Sequence, residues 1–199
     1  MSIRPRIALA TALVLAAFGA QAQNSGVRTE KNISLELANQ IAAATLLLAA
    51  FGVQAQNGAV RAEKNISLEL ANQLASATVA ACAANGYAVT ATVVDRAGGV
   101  RAMQRADNAG PHTLAASERK AFTSASAKAP TKLMLENSQK NAGAATLGDI
   151  PGFLLLGGGL PIKAGNEVIG AIGVGGAPGG HLDEQCAVAA IEKVKGQLQ

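Results

Sequence analysis

The sequence predicts an α+β domain in which helices pack on an antiparallel sheet. Two observations carry this. Segments rich in β-branched residues come in pairs joined by turn signals, 87–94 with 100–105, and the run ending at Lys163 with 167–174. Helical spacing fills the remaining stretches, so the order is helix, hairpin, two helices, hairpin, helix. Strand pairs separated by helices build antiparallel sheets with helices laid on them. A third observation sets the boundaries: residues 10–45 recur at an offset of 33 as residues 43–78.

Ser67, followed by Leu68, Leu70, Ala71, Leu74, Ala77, Thr78 and Ala81, has helical spacing, with the serine as N-cap. Asn85-Gly86 stops this helix as a left-handed C-cap does. Tyr87 to Val94 reads as a strand, Asp95 to Gly99 as a turn, and Val100 to Arg105 as the returning strand. His112 to Lys128 is Ala-rich and helical; Pro130 breaks it, and Thr131 to Asn141 forms a short helix. Beyond Gly157-Gly158-Gly159 the chain runs through Lys163, turns at Ala164-Gly165-Asn166 and returns as the strand Glu167 to Val174. The last helix spans His181 to Gln197, with Asp183 and Glu184 in its first turn, where they suit the helix dipole.

The duplicated unit holds an apolar run, a small-residue cleavage-like site and the opening of the first helix. A solenoid needs three or more repeats to bury a continuous core, and this unit occurs twice. The reading is a tandem duplication across a signal-peptide junction. Arg4 and Arg6 precede the uncharged run Ile7 to Phe18, and Ala20-Gln21-Ala22 is an A-x-A site with cleavage expected before Gln23. In the second copy Ile41 to Phe51 is apolar and Val53-Gln54-Ala55 offers a cut before Gln56. Either run is shorter than the roughly 20 residues of a membrane span. The organisation is therefore a signal peptide at 1–22, a duplicated leader at 23–58 (a second signal-like copy, an arm or an extra helix) and one domain at 59–199. Export to the periplasm or the medium follows from it.

Loss of residues 1–22 removes Arg4 and Arg6 and takes the net charge from +4 to +2. With no basic stripe interleaved with aromatics, nucleic acid is not an expected partner. The chain has no Trp, one Tyr and four Phe, so its core must be built from Ala, Val, Leu and Ile. No GxSxG, HExxH, CxxC or GxxxxGK[ST] motif occurs, and Gly173-Val174-Gly175-Gly176 does not have nucleotide-fingerprint spacing. No catalytic constellation is assigned.

Three separated stretches carry a family likeness: VVDRAGGVRAMQRADNA (93–109), ASERKAFTSAS (116–126) and GGGLPIKAGNEVIGAIGVGGAPGGHLDEQCA (157–187). They resemble the GlcG/HbpS-type haem-binding family over roughly Ile66 to Gly196. The resemblance implies a profilin-like sandwich with an antiparallel sheet of about five strands, assembly into homo-oligomers and, in several members, haem binding. Lys120, Thr123 and Ser124 match the family's KA-x-T helix signature. The duplicated leader departs from the family pattern.

Haem needs an apolar slot, an axial donor and cations for its propionates. The donors are His112, His181, Met103, Met134 and Tyr87. His112, after Gly110-Pro111, is the candidate iron ligand, against the reading of an exposed or capping histidine. Met103 lies mid-strand, where a core position is the ordinary reading. Arg101 and Arg105 share a strand face, because side chains alternate. With Arg119 and Lys120 they are candidates for carboxylates, against the reading of a solvated sheet edge. The candidate ligand set is Arg101, Met103, Arg105, His112, Lys120 and Thr123. Gly179, Gly180 and His181 at the last helix form a second candidate site, where unpaired N–H groups gather.

Cys82 and Cys186 are the only cysteines. Export favours pairing them, and the implied fold lays the first and last helices side by side; the alternative is two buried thiols. The leading function is an exported homo-oligomeric binding protein for haem or a related tetrapyrrole. The other readings are an accessory protein or enzyme for small carboxylates, and a structural domain that partners a sensor protein.

Overall fold

A computed structural model gives the structure of the chain, describing residues 27–33 and 60–199. Both signal-like apolar runs, and the cleavage positions before Gln23 and Gln56, lie outside these residues. Strand β1 (Val27–Ile33) and strand β2 (Val60–Ile66) pair with each other in an antiparallel ribbon. Helix α1 (Leu68–Ala83) follows, then the hairpin of β3 (Thr90–Asp95) and β4 (Val100–Arg105). Helices α2 (His112–Ala127) and α3 (Thr131–Lys140) come next, then two short 3-10 turns. The hairpin of β5 (Gly159–Ala164) and β6 (Glu167–Gly175) leads to helix α4 (Gly180–Val194) and a last 3-10 turn. The main sheet is antiparallel with order β4-β3-β6-β5.

The α+β class and the order of elements agree with expectation, while the sheet has four strands where about five were expected. The further strand, β2, pairs with its own duplicate instead of joining the main sheet. The first expected strand also starts late. The Tyr87 N–H is bonded to the Cys82 carbonyl at 3.0 Å and Gly86 has φ of 79°, so the helix cap holds Tyr87 and pairing begins only at Thr90. Ser67 does cap α1, accepting from the Leu70 N–H at 3.1 Å. Asp95 fixes the β3–β4 turn by accepting from the Ala97 and Gly99 amides at 3.0 and 2.9 Å.

The two faces of the sheet are unlike. One carries Val93, Ala102, Leu160, Ile162, Ile172 and Val174, covered by Leu70, Leu74 and Ala75 of α1 and Ala187, Ala190 and Val194 of α4. This is the aliphatic core that the composition required. Across it Cys82 and Cys186 form a disulfide with their Cα atoms 5.3 Å apart. The opposite face is nearly flat: it offers Ala171, Gly173 and Gly175 to α2. A Cβ on Gly173 would fall on the Ser117 carbonyl oxygen and lie 2.5 Å from the Ala121 nitrogen. Helix backbone therefore rests almost directly on β6. Hydroxyl pairs fasten this seam, Thr90 to Thr113 and Thr92 to Ser117, each at 2.7 Å.

Candidate functional site

Strand β4 is an edge of the sheet. In its register with β3, Thr90 is opposite Arg105 and Thr92 opposite Met103. Cross-strand partners share a face, and Thr90 and Thr92 are bonded to α2. Arg105 and Met103 thus lie on the side of the sheet that carries the helix, forming a shelf along it. Val93 pairs with Ala102 and Val94 with Val100, which leaves Arg101 as the extra residue of a bulge. Such bulges re-aim a side chain. The Arg101 Nε is buried without a hydrogen-bond partner among the described residues, a donor whose pairing is unmet.

Met103 is 36% exposed, so it is not the core residue that its mid-strand position suggested. The Arg105 guanidinium donates from Nε and Nη2 to the Ala109 carbonyl, at 3.0 and 2.5 Å. This ties the 106–111 loop to the end of the shelf, where Arg105, Ala106, Asp107 and Asn108 line a hollow of about 290 Å³. His112, exposed, opens α2 three residues beyond Ala109. The structure therefore brings Met103 and Arg105 onto one face, sets Arg101 in the bulge next to them and places His112 at the loop beside them.

Lys120 and Thr123 belong elsewhere on α2. Lys120 is 1% exposed; its Nζ donates to the Val174 carbonyl at 2.7 Å and to Asp183 Oδ2 at 2.8 Å. Asp183, 2% exposed, also accepts from the Ala177 amide at 3.0 Å through Oδ1. Burial pushes the Asp183 carboxyl above its ordinary value, against the opposing pull of the Lys120 ammonium and the Ala177 amide. A Cβ at Gly158, whose φ is 112°, would lie 2.7 Å from the Asp183 Cβ and 3.1 Å from Lys120 Nζ, so glycine roofs the pair. The pair clamps α2 to the start of α4 across the end of β6. Thr123 Oγ1 donates to the Arg119 carbonyl at 2.7 Å and accepts from the Leu154 amide at 2.8 Å, while Arg119 bonds the Phe153 carbonyl. Both residues pin the loop at 153–154 to α2.

The second candidate site is separate. Gly180 packs against Gly157, where a Cβ would lie 2.6 Å from the Gly157 oxygen. His181 is exposed and lines a hollow of about 340 Å³ with Lys132, Glu184, Gln185, Val188 and Ala189. Among the described residues no group of three or more His, Cys, Asp or Glu is arranged to hold a metal ion.

A family model described as haem degrading protein HbpS-like matches residues 66–192. The chain belongs to the HbpS-like family. A double mutant of HbpS from Streptomyces reticuli is 42% identical, with a TM-score of 0.64 over 73% of this chain and 97% of that one. Klebsiella pneumoniae protein ORFY is 28% identical, with a TM-score of 0.63 over 75% and 98%. PduOC, solved as a haem complex, is 23% identical with a TM-score of 0.60 over 64% and 94%, a likeness of fold. No curated protein matches the chain.

The group this HbpS-like family implies can be tested against the shelf. The Arg105 guanidinium and an exposed thioether on one strand face, with the bulged Arg101 and its unmet buried donor beside them, supply cations and a soft donor of the kind haem requires. The residues fit. Sequence reasoning placed Asp183 only as a helix-dipole residue and missed its partnership with Lys120. The signal was present, since Asp183 stands on the same helical stripe as Cys186, Ala187, Ala190 and Val194, all of them buried.

Proposed function

We propose that the chain is an exported, homo-oligomeric binding protein for haem or a related tetrapyrrole. The observation that carries this reading is the β4 shelf, where the unpartnered Nε of Arg101 stands beside Met103 and Arg105 on an open sheet edge. In this reading Arg101 and Arg105 hold the propionates, and His112 or Met103 stands at the iron. Bound haem supplies a redox-active iron whose behaviour is tuned by its axial donor and by the polarity around it. The disulfide supports export, because such bonds persist in oxidising compartments. Among the described residues no helix is long and apolar enough to cross a membrane. Exposed Val188, which lines the His181 hollow, supports a surface that assembles with other copies.

Absorbance titration with hemin tests the reading. A Soret band that saturates, is weakened in the Arg101→Ala/Arg105→Ala variant and shifts in position in His112→Ala or Met103→Ala is expected. Unchanged hemin affinity in the double arginine variant would move the site to the His181 hollow, and no Soret band at all would end the tetrapyrrole reading.

A further inference from the structure

The two strands of the N-terminal ribbon are copies of one heptapeptide, VRTEKNI in β1 and VRAEKNI in β2. Their register has a property that two copies need not share. Val27 faces Ile66 and, reciprocally, Ile33 faces Val60; Arg28 faces Asn65 and Asn32 faces Arg61. At the centre Glu30 faces Glu63, its own duplicate. Exchanging the two copies leaves all seven pairs in place. The ribbon therefore has local two-fold symmetry, the symmetry of an isologous contact between identical chains. A ladder that β2 makes with its duplicate is one that β2 can also make, pair for pair, with β2 of another molecule.

We infer that the β2 edge is a self-association edge whose partner is β2 of a second copy of this chain, and that β1 occupies it from within the chain. The direction of the backbone groups supports this. The Lys64 carbonyl accepts from Arg96 Nη1 at 2.9 Å, so Lys64 and, two residues away, Ala62 turn their backbone groups toward the domain. Arg61, Glu63 and Asn65 then turn theirs toward the partner strand. An edge with such a row of donors and acceptors binds another strand unless it is covered. With β1 in place the edge is covered; with β1 displaced or removed, two copies close on each other through β2. The duplication thereby converts an intermolecular contact into an intramolecular one.

The register makes the test specific. In the two-fold ladder Ala62 of one copy faces Lys64 of the other, a pair without direct hydrogen bonds and so the closer kind in an antiparallel sheet. Full-length chains carrying Ala62→Cys or Lys64→Cys are combined with Glu30→Pro and Asn32→Pro, which remove β1 donors that face β2. Mixing the two proline-bearing chains under mild oxidation is expected to give a covalent dimer linked 62 to 64, at least several-fold more abundant than in either chain alone. The same mixture with β1 intact is expected to give little. Adding the free peptide VRTEKNI in excess to the proline-bearing mixture should suppress the link, which shows that the edge itself is intact and open. No link in the proline-bearing mixture overturns the self-association edge. An equal link with β1 intact overturns the covering role of β1.

Discussion

Replacing Lys120 by Met keeps the aliphatic stem and deletes the ammonium. The structure then leaves Asp183 Oδ2 and the Val174 carbonyl without the donor that sits 2.8 and 2.7 Å from them. Both are sealed beneath Gly158, which leaves little room for a replacing water. Breaking a buried ion pair by removing one partner costs about 3–5 kcal/mol, because an uncompensated charge stays behind. Native stability is only about 5–15 kcal/mol, so Lys120→Met should lose a large share of it, with a fall in Tm of roughly 10 °C or more. The Lys120→Met/Asp183→Leu variant should recover part of the loss, since it removes both charges, although the Ala177 amide and the Val174 carbonyl stay unpaired. Urea unfolding of the oxidised protein, analysed as a double-mutant cycle, measures the coupling. A cost below about 1 kcal/mol for Lys120→Met would refute the clamp, and Lys120 would return to the pool of ligand-binding cations.

Three further outcomes follow from the same geometry. Reducing the Cys82–Cys186 bond, which closes a loop with a separation of 104 residues, should lower stability by up to about 4–5 kcal/mol in the chain-entropy model; thermal melts with and without reductant check it. Gly173→Ala should cost more than about 4 kcal/mol or abolish folding, because its Cβ has no space against Ser117 and Ala121, whereas Gly148→Ala, which meets nothing within 4 Å, should fold normally in the same expression and melting assays. The raised carboxyl of Asp183 sets a pH dependence: the folded state holds this proton more tightly than the unfolded chain, so its contribution is full below the ordinary value of 3.8 and is lost as pH rises through the raised folded value. Urea midpoints followed upward from acid should show that slope in the wild type, and Asp183→Asn should lack it.

Local rules made much of this fold legible. Ser67, Asn85-Gly86, the Asp95–Gly99 turn and Pro130 each act within a few residues, and each ends or begins an element where its chemistry requires. Strand β2 escaped because VRAEKNI is mostly polar and Lys64 interrupts the alternation of Val60, Ala62 and Ile66; its partner is a distant copy of itself. Period two put Arg101 and Arg105 on one face, whereas the pairing keeps Met103 with Arg105 and sets Arg101 in a bulge, a break in register that only pairing reveals. Lys120 is the instructive case. As a lysine on a helix it reads as a solvent-facing cation. What buries it is an aspartate 63 positions later, brought near by the sheet between them.

The disulfide has a consequence for how the molecule is made. Cys82 sits in the first helix of the domain and Cys186 in its last, so no bridge can close until residue 186 has emerged and α4 has docked beside α1. Every nascent chain that ends between residues 82 and 186 carries a lone thiol with no correct partner. With two cysteines there is also no wrong intramolecular pairing to undo, and a correctly oxidised molecule is by construction one synthesised at least through Cys186. The bond thus serves as a progress mark, distinguishing a chain made through Cys186 from one that stops between the two cysteines by the state of a single sulfur pair.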